Sequence, residues 1–203
     1  MYVPTRFSNK DAGQSLDLIR QYPFATVFTV QGGMPFVSHL PLVLETHGDE
    51  MFLLGHLARA NPHAKTIGQS DAYVIFHGPH QYITPVWYKE NDVPTWNYAV
   101  VHITGSCELI EDTKNITECI EKLTNHMESG RSPRWDFWVP EDLQDEALSK
   151  HIAGFKIRVK SLQGKFKLSQ NRSPEDRDGV MQGLQDQGDE MSLAILEMMK
   201  LRK

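Results

Sequence analysis

Residues 55–63, with the sequence GHLARANPH, have the composition of an anion-binding site. The pattern predicts a strand that ends at His56, an arginine at position 59, and a helix that begins with Asn61 as its N-cap and a proline in its first turn. Unpaired backbone N–H groups at the helix start and the Arg59 guanidinium could then converge on one anion. The alternative is that Asn61 only caps the helix and Arg59 is a solvated charge, and the sequence leaves both open.

A serine and a histidine interrupt an apolar strand in residues 38–41, which have the sequence SHLP. Buried polar side chains need hydrogen-bond partners, and either a ligand or the neighbouring backbone could supply them for Ser38 and His39. Pro41 has no backbone N–H to donate to a central ladder, so the strand is predicted to lie at a sheet edge or to contain a bulge. A free strand edge beside a ligand agrees with these features.

Aromatic and amide side chains precede a long strand that carries His102. Trp96 and Asn97 lie in the segment PTWNY, residues 94–98, at the start of that strand. Such a set could hold a flat heteroaromatic ring by stacking and by hydrogen bonds to its edge. Packing of the aromatic rings in the protein core is the alternative.

Positive charge is concentrated late in the chain. Residues 150–172 contain seven Lys or Arg and no Asp or Glu, whereas the whole chain of 203 residues has a net charge of −5. This window could meet a phosphate, a carbonyl-rich ring or the phosphates of nucleic acid. The alternation of Lys156, Arg158 and Lys160 is also typical of a protected edge strand, which explains the SQN segment at 169–171 less well.

Several other classes of site lack a sequence signature. The chain has no GxGxxG, P-loop, GxSxG or HExxH motif, and a Gly-Pro turn separates its closest histidine pair, so we predict no metal site and assign no catalytic residue. Cys107 and Cys119 lack CxxC spacing, which predicts two buried, reduced thiols. No apolar run is long enough for a membrane span and the first residues lack a signal core, so we expect a cytoplasmic protein.

The elements that must position these residues are mostly short strands separated by turns. A helix is predicted from about residue 8 to Pro23, and further helices over 61–68, 112–130 and 141–150, from 173 onward and around 193–199. Strands are predicted over 24–30, 34–44, 51–56, 73–76, 82–87, 97–110 and 152–159. This order favours an antiparallel barrel with helices packed at its ends over a doubly wound parallel sheet.

Five motifs, in order and spacing, resemble the PaiB-type FMN-binding negative transcriptional regulators. They are YPFA (22–25), SHLP (38–41), GHLARANP (55–62), VPTWNY (93–98) and KLSQNR (167–172). The resemblance covers almost the whole chain. It implies an α+β fold, a split antiparallel β-barrel of the FMN-binding type with flanking helices, related to pyridoxamine-phosphate oxidases and flavin reductases. We expect residues 1–160 to form the barrel core with inserted helices, and residues 161–203 to pack on the same domain.

The same resemblance implies FMN as the cofactor, bound at the subunit interface of a homodimer. It places Ser38, His39 and Leu40 along the flavin, and it brings Arg59 and Asn61 close to the phosphate. The other residues that it implies for the cofactor site are His56, Trp96, Asn97, His102, Lys167, Gln170 and Arg172.

Two classes of function follow from the resemblance. One is a negative transcriptional regulator that senses FMN, and the alternative is an FMN-dependent oxidoreductase or flavin carrier that acts on an unknown small molecule. Flavin supplies its own hydride or electron chemistry, so the second class needs no dedicated acid or base. The negative net charge and the lack of a recognisable helix-turn-helix argue against direct DNA binding.

Overall fold

The computed structural model describes residues 1–90, 92–141 and 146–201. Its strands are β1 (Ser8–Asn9), β2 (Phe24–Gln31), β3 (Met34–Pro41), β4 (Val43–His47), β5 (Glu50–Ala58), β6 (Asp71–Ile83), β7 (Thr95–Ile110) and β8 (Ile152–Lys167). Its α-helices are α1 (Ala12–Gln21), α2 (Thr113–Glu128), α3 (Glu146–His151), α4 (Pro174–Gln187) and α5 (Glu190–Leu201). Short 3₁₀ helices span Thr5–Phe7, Pro62–Lys65 and Pro85–Trp87.

The strands form one sheet in the order β3-β2-β6-β7-β8-β5-β4, with β1 beside β8. The pairs β2–β3, β2–β6, β4–β5, β5–β8 and β1–β8 are antiparallel. The strand order does not return to its starting strand, so the sheet is not closed. The predicted α+β fold, a split antiparallel β-barrel with flanking helices, is confirmed.

The chain divides into two compact units. The central unit comprises Tyr22–Phe76 and His102–Leu162, and the terminal unit comprises Met1–Gln21, His77–Val101 and the chain from Gln163 onward. Strands β6, β7 and β8 contribute residues to both units.

The central unit packs α2 against the β4–β5 pair. Residues Ile116, Cys119 and Leu123 recur at helical spacing and are buried, and the last two form a cluster with Val43 and Leu54. The Asp112 carboxylate caps this helix by accepting a hydrogen bond from the backbone N–H of residue 115 at 3.0 Å.

The terminal unit packs α4 against the 3₁₀ helix that contains Trp87. A Cβ at Gly183 would clash with the Trp87 indole, and a Cβ at Gly179 would clash with the Trp87 carbonyl oxygen. These two glycines therefore allow a close contact that a larger residue would prevent. Ser173 caps α4 as predicted, because its hydroxyl accepts a hydrogen bond from the N–H of Asp176 at 3.1 Å.

Several predicted elements are confirmed. The β2–β3 hairpin turns at Gly32 and Gly33, which have φ values of 56° and 82° that favour glycine. Strand β3 lies at one end of the strand order, as Pro41 predicts.

The described residues contain no helix with the length and apolar composition needed to cross a membrane.

Three predicted boundaries are wrong. The strand predicted over 34–44 is two strands, because the chain leaves β3 after Pro41 and the N–H of Leu42 donates to the Pro23 carbonyl at 2.9 Å. The strands predicted over 73–76 and 82–87 are not separate, because β6 continues through residues 77–81. The small Gly78 is needed there, since a Cβ would lie 3.0 Å from the carbonyl oxygen of Ala99. The strand predicted over 82–87 ends at Ile83.

Two further predictions are wrong, and a predicted helix is confirmed over residues 146–150. The helix predicted over 61–68 is only the 3₁₀ helix Pro62–Lys65. The helix predicted over 141–150 is α3, and residues 142–145 lie outside the described residues. Edge protection does not explain the basic residues of β8, because β8 lies between β7 and β5 in the sheet.

Candidate functional site

A buried histidine joins two hydroxyl groups in the central unit. Nδ1 of His63 lies 2.8 Å from Oγ of Ser38, and Nε2 of the same ring lies 2.8 Å from Oγ1 of Thr29. The relative exposures of Thr29, Ser38 and His63 are 1%, 7% and 0%. The protein itself therefore supplies the partners that the sequence requires for Ser38.

Burial lowers the pKa of His63 below its ordinary value. The ring is then neutral near pH 7, so one of its nitrogens donates and the other accepts a hydrogen bond. The roles of the two hydroxyls are thereby coupled: if Ser38 donates to the ring, the ring donates to Thr29, and the reverse.

Asn61 connects the start of the 3₁₀ helix to this network. Its Oδ1 accepts from the backbone N–H of His63 at 3.0 Å, as predicted for an N-cap, and its Nδ2 donates to Oγ of Ser38 at 3.4 Å. The structure thus brings the predicted residues Ser38 and Asn61 together around His63.

His39 lies on the outer side of the β2–β3 hairpin. Its Nδ1 is 3.1 Å from Oγ1 of Thr26, and its ring is stacked on Phe24 with centroids 6.4 Å apart. Phe24 is 63% exposed, so the pair presents a flat surface to solvent. Leu40, the next residue of β3, is half-buried opposite Ala25.

The Arg59 side chain holds the junction of α3 and β8. Its Nε donates to the Ser149 carbonyl at 3.1 Å, its Nη2 donates to the Ile152 carbonyl at 3.2 Å, and its backbone N–H donates to the His151 carbonyl at 2.7 Å. Arg59 is thus engaged with the backbone and is not a solvated charge. Its predicted approach to a phosphate stays a prediction.

His56 lies in β5 directly opposite Gly154 of β8. Opposed residues of an antiparallel pair point to the same face, and a Cβ at Gly154 would lie 3.2 Å from Ile110 and 3.4 Å from Ile116 of α2. We conclude that His56 lies on the face that α2 covers. Burial lowers its pKa, and its buried Nδ1 has no hydrogen-bond partner among the described residues.

His102 of β7 hydrogen-bonds through Nδ1 to the Tyr73 hydroxyl at 2.7 Å. The two rings meet edge to face with centroids 5.4 Å apart, and Tyr73 also meets Phe28 edge to face at 6.5 Å. This half-buried aromatic group belongs to the central unit.

Trp96 is a half-exposed aromatic side chain of the terminal unit. It is 50% exposed, and its ring centroid lies 5.8 Å from that of His80 and 6.1 Å from that of Tyr82. The next residue, Asn97, points into the core, where its Nδ2 donates to Oγ of Ser169 at 2.9 Å. Trp96 is therefore available to a ligand, whereas Asn97 anchors the turn after β8.

The Gln170 side chain stabilises that turn through hydrogen bonds to the backbone of neighbouring residues. Its Oε1 accepts from the N–H of Leu168 at 2.6 Å, and its Nε2 donates to the Phe166 carbonyl at 2.5 Å. Arg172 forms an ion pair with Asp92, and its guanidinium lies 4.3 Å from the ring centroid of Tyr88. The hydrogen bond that Arg172 donates to the Asp92 carboxylate raises the pKa of Arg172 above its usual value.

Lys167 donates a hydrogen bond to the Thr95 hydroxyl and lies 5.9 Å from the ring centroid of Phe7. Burial lowers the pKa of Lys167, and the positive charges of Lys165 and Arg172 lower it further. These cations therefore lie close enough to repel one another.

The predicted cofactor residues fall into two groups, one in each unit. Ser38, His39, Leu40, His56, Arg59, Asn61 and His102 belong to the central unit, and Trp96, Asn97, Lys167, Gln170 and Arg172 belong to the terminal unit. The sequence prediction missed Thr29, His63 and Lys165. His63 is the last residue of the segment GHLARANPH, and its position beside the predicted N-cap Asn61 was a signal in the sequence.

The two thiols are buried and unpaired, as predicted. Burial raises the pKa of Cys107 to about 12 and that of Cys119 to about 11, so neither is a reactive thiolate near pH 7. The described residues contain no group of three or more His, Cys, Asp or Glu side chains that could hold a metal ion.

Comparisons with known proteins identify the relatives of this chain. Residues 1–161 match a family model described as "Putative FMN-binding domain". The chain is 35% identical over 209 residues to the protease synthase and sporulation protein PAI 2 of Bacillus subtilis, covering 100% of this chain and 99% of that protein.

Two solved structures share the fold. The FAD and heme binding protein from Mycobacterium smegmatis aligns with a TM-score of 0.60 and 16% identity, over 79% of this chain and 73% of that one. The flavocytochrome Anf3 from Azotobacter vinelandii aligns with a TM-score of 0.58 and 18% identity, over 85% and 75%. The match over residues 1–161 and the full-length likeness to PAI 2 agree, and the chain belongs to the FMN-binding domain family.

Proposed function

We propose that this protein binds FMN as its cofactor and influences gene expression through that flavin, without direct contact with DNA. The observation that carries the proposal is the match of residues 1–161 to the FMN-binding domain family. A relative of this chain is named PAI 2, protease synthase and sporulation protein. That name supports the regulatory role that we propose for this chain.

The residues of the structure fit the chemistry of FMN. An isoalloxazine ring needs flat surfaces and polar groups at its edge, and the phosphate needs cations or N–H donors. The central unit offers the exposed ring of His39, and the terminal unit offers the half-exposed ring of Trp96 and the Lys167 ammonium. Nδ1 of His56 adds one buried polar atom that lacks a partner among the described residues. Bound flavin would supply hydride or electron transfer.

Two basic residues of β8 in the central unit are paired with carboxylates. Arg158 pairs with Glu50, and Lys160 pairs with Asp71 at 2.7 Å, so their charges are compensated. A DNA-binding surface relies on cations that are free to replace counterions at phosphates. The ion pairs therefore favour a regulator that does not touch DNA.

We also propose that the protein is a cytoplasmic homodimer with FMN at the subunit interface. The β2–β3 hairpin exposes several large apolar side chains: Phe24 is 63% exposed, Val30 61% and Met34 71%. Exposed apolar side chains clustered on one hairpin favour association with a second copy. Sedimentation of the FMN-loaded protein tests this, and a monomer at micromolar concentration would contradict it.

The visible spectrum of the purified protein tests the proposed function. We expect the absorption bands of oxidised flavin, and acid release should yield FMN. DNA binding at physiological salt should be weak, salt-sensitive and independent of sequence. Nanomolar, sequence-selective DNA binding would instead make direct repression the better account.

A further inference from the structure

We propose that Lys165 and Lys167 of the terminal unit form a binding subsite for a phosphate group. The phosphate belongs either to FMN, in which case this inference rests on the proposed function, or to a second phosphorylated small molecule. The subsite lies on one face of β8, because two residues that are two positions apart in a strand share a face.

The groups in direct contact with each ammonium are neutral. Nζ of Lys165 lies 5.6 Å from the ring centroid of Tyr2 and 5.3 Å from that of Tyr98. Nζ of Lys167 donates to the Thr95 hydroxyl and faces the ring of Phe7 at 5.9 Å. Aromatic faces and a hydroxyl orient an ammonium, but they leave its charge uncompensated.

Three other cations of this chain have carboxylate partners. Lys160 pairs with Asp71 at 2.7 Å, Lys122 pairs with Glu45 at 2.6 Å, and Arg172 pairs with Asp92. Among the residues that the structure describes, no carboxylate pairs with Lys165 or Lys167. The two lysines therefore place two positive charges on one face of β8 with no carboxylate partner among the described residues.

The electrostatics of Lys167 agree with this geometry. Its ammonium is partly buried, and the neighbouring charges of Lys165 and Arg172 lower its pKa further. Like charges held together raise the free energy of the empty site, and an anion placed between them removes that repulsion. A phosphate also accepts hydrogen bonds from both ammonium groups.

The surroundings indicate what the phosphate is attached to. Trp96 lies two residues before Tyr98 in β7, so it shares a strand face with the ring that lies 5.3 Å from Nζ of Lys165. Trp96 is 50% exposed and contacts the rings of His80 and Tyr82. An exposed aromatic cluster beside a phosphate site suits a planar aromatic group on the same ligand. The ligand class is therefore a phosphorylated aromatic small molecule.

Lysine-resolved NMR of the full chain tests the subsite. Reductive dimethylation with ¹³C keeps the positive charge of each lysine and gives each one a separate signal. The probe is inorganic phosphate, added at constant ionic strength to protein without flavin. We expect saturable shifts of the Lys165 and Lys167 signals, while those of Lys160 and Lys200, which have carboxylate partners, stay in place. Equal, unsaturable shifts of all four signals would overturn the inference.

Matched variants then identify the source of the phosphate. Lys165→Met and Lys167→Met are compared with Lys160→Met, and each protein is titrated with FMN and with riboflavin. If the phosphate is that of FMN, the two test variants bind FMN roughly tenfold to a hundredfold more weakly and bind riboflavin as before. If it belongs to a second molecule, the response to inorganic phosphate disappears and both flavin affinities stay unchanged.

Two further results separate the possible failures. Test variants that match Lys160→Met in their affinity for both phosphate and FMN would contradict the subsite. Lys167→Arg should restore phosphate binding, because it restores the charge, whereas a purely structural lysine would not follow charge in this way. Wild-type protein that fails to bind any flavin would contradict the proposed function, yet the phosphate titration would still decide the inference.

Discussion

Replacement of His63 by phenylalanine tests the buried network of the central unit most sharply. The ring of His63 is 0% exposed and contacts the hydroxyls of Thr29 and Ser38 at 2.8 Å each. Phenylalanine keeps a ring of similar size and removes both nitrogens. We expect the folded protein to lose stability because the buried Thr29 hydroxyl then lacks a partner and the Ser38 hydroxyl keeps only the 3.4 Å hydrogen bond from Asn61.

The magnitude follows from the number of groups left unpaired. Leaving one buried polar group without a hydrogen bond costs about 1–3 kcal/mol. Water cannot replace the lost partner easily, because Thr29 is 1% exposed and Ser38 is 7% exposed. One unpaired hydroxyl and one that loses its shorter hydrogen bond, less the gain from a more apolar ring, give an expected loss of about 1–3 kcal/mol in the free energy of unfolding.

The assay is urea unfolding of the wild type, of His63→Phe, and of a triple variant that adds Thr29→Val and Ser38→Ala. The triple variant has no unpaired hydroxyl in the network, so it should regain at least half of the lost stability. A loss below about 1 kcal/mol in the single variant, or a triple variant less stable than the single one, would refute the reasoning.

Three further predictions follow from other parts of the structure. Burial lowers the pKa values of His56 and His63 below the ordinary 6.5, so protons bind the unfolded chain more readily than the folded one. Stability should therefore be flat above about pH 6.5 and fall as the pH drops below it, and urea midpoints that stay constant down to pH 5 would contradict this. Arg59→Ala removes two hydrogen bonds to carbonyls at the junction of α3 and β8, so we expect a loss of about 1–3 kcal/mol by thermal or urea unfolding, whereas Arg59→Lys should recover only part of it. Gly179→Ala puts a Cβ against the Trp87 carbonyl and should lower the melting temperature, and the change should also alter Trp fluorescence; an unchanged melting temperature would show that α4 can shift without cost.

Hydrophobic periodicity and turn residues predicted most of the strands and helices. The β2–β3 hairpin, α2 and α4 were accessible because each has a strong local signal: two glycines at the turn, an apolar repeat, and a Ser-Pro start. The failures share a cause, since each depends on a neighbour that is distant in sequence. The sequence predicts separate strands on either side of Gly78, because it does not show that Ala99 and Leu18 approach this residue.

The candidate site was predicted less completely than the fold. Residue types identified Ser38 and Asn61 as polar groups that need partners, but the partner His63 became evident only from the geometry. Similarly, the density of lysines in 150–172 did not show which of them have carboxylate partners. The structure separates Lys160, which pairs with Asp71, from Lys165 and Lys167, which contact neutral groups.

The central claim is that this chain binds FMN, and a titration of the purified, folded, flavin-free protein with FMN tests it most directly. Quenching of flavin fluorescence should saturate at one FMN per chain, and riboflavin should bind more weakly because it lacks the phosphate. A chain that is folded by circular dichroism and shows no saturable quenching with FMN would contradict the account.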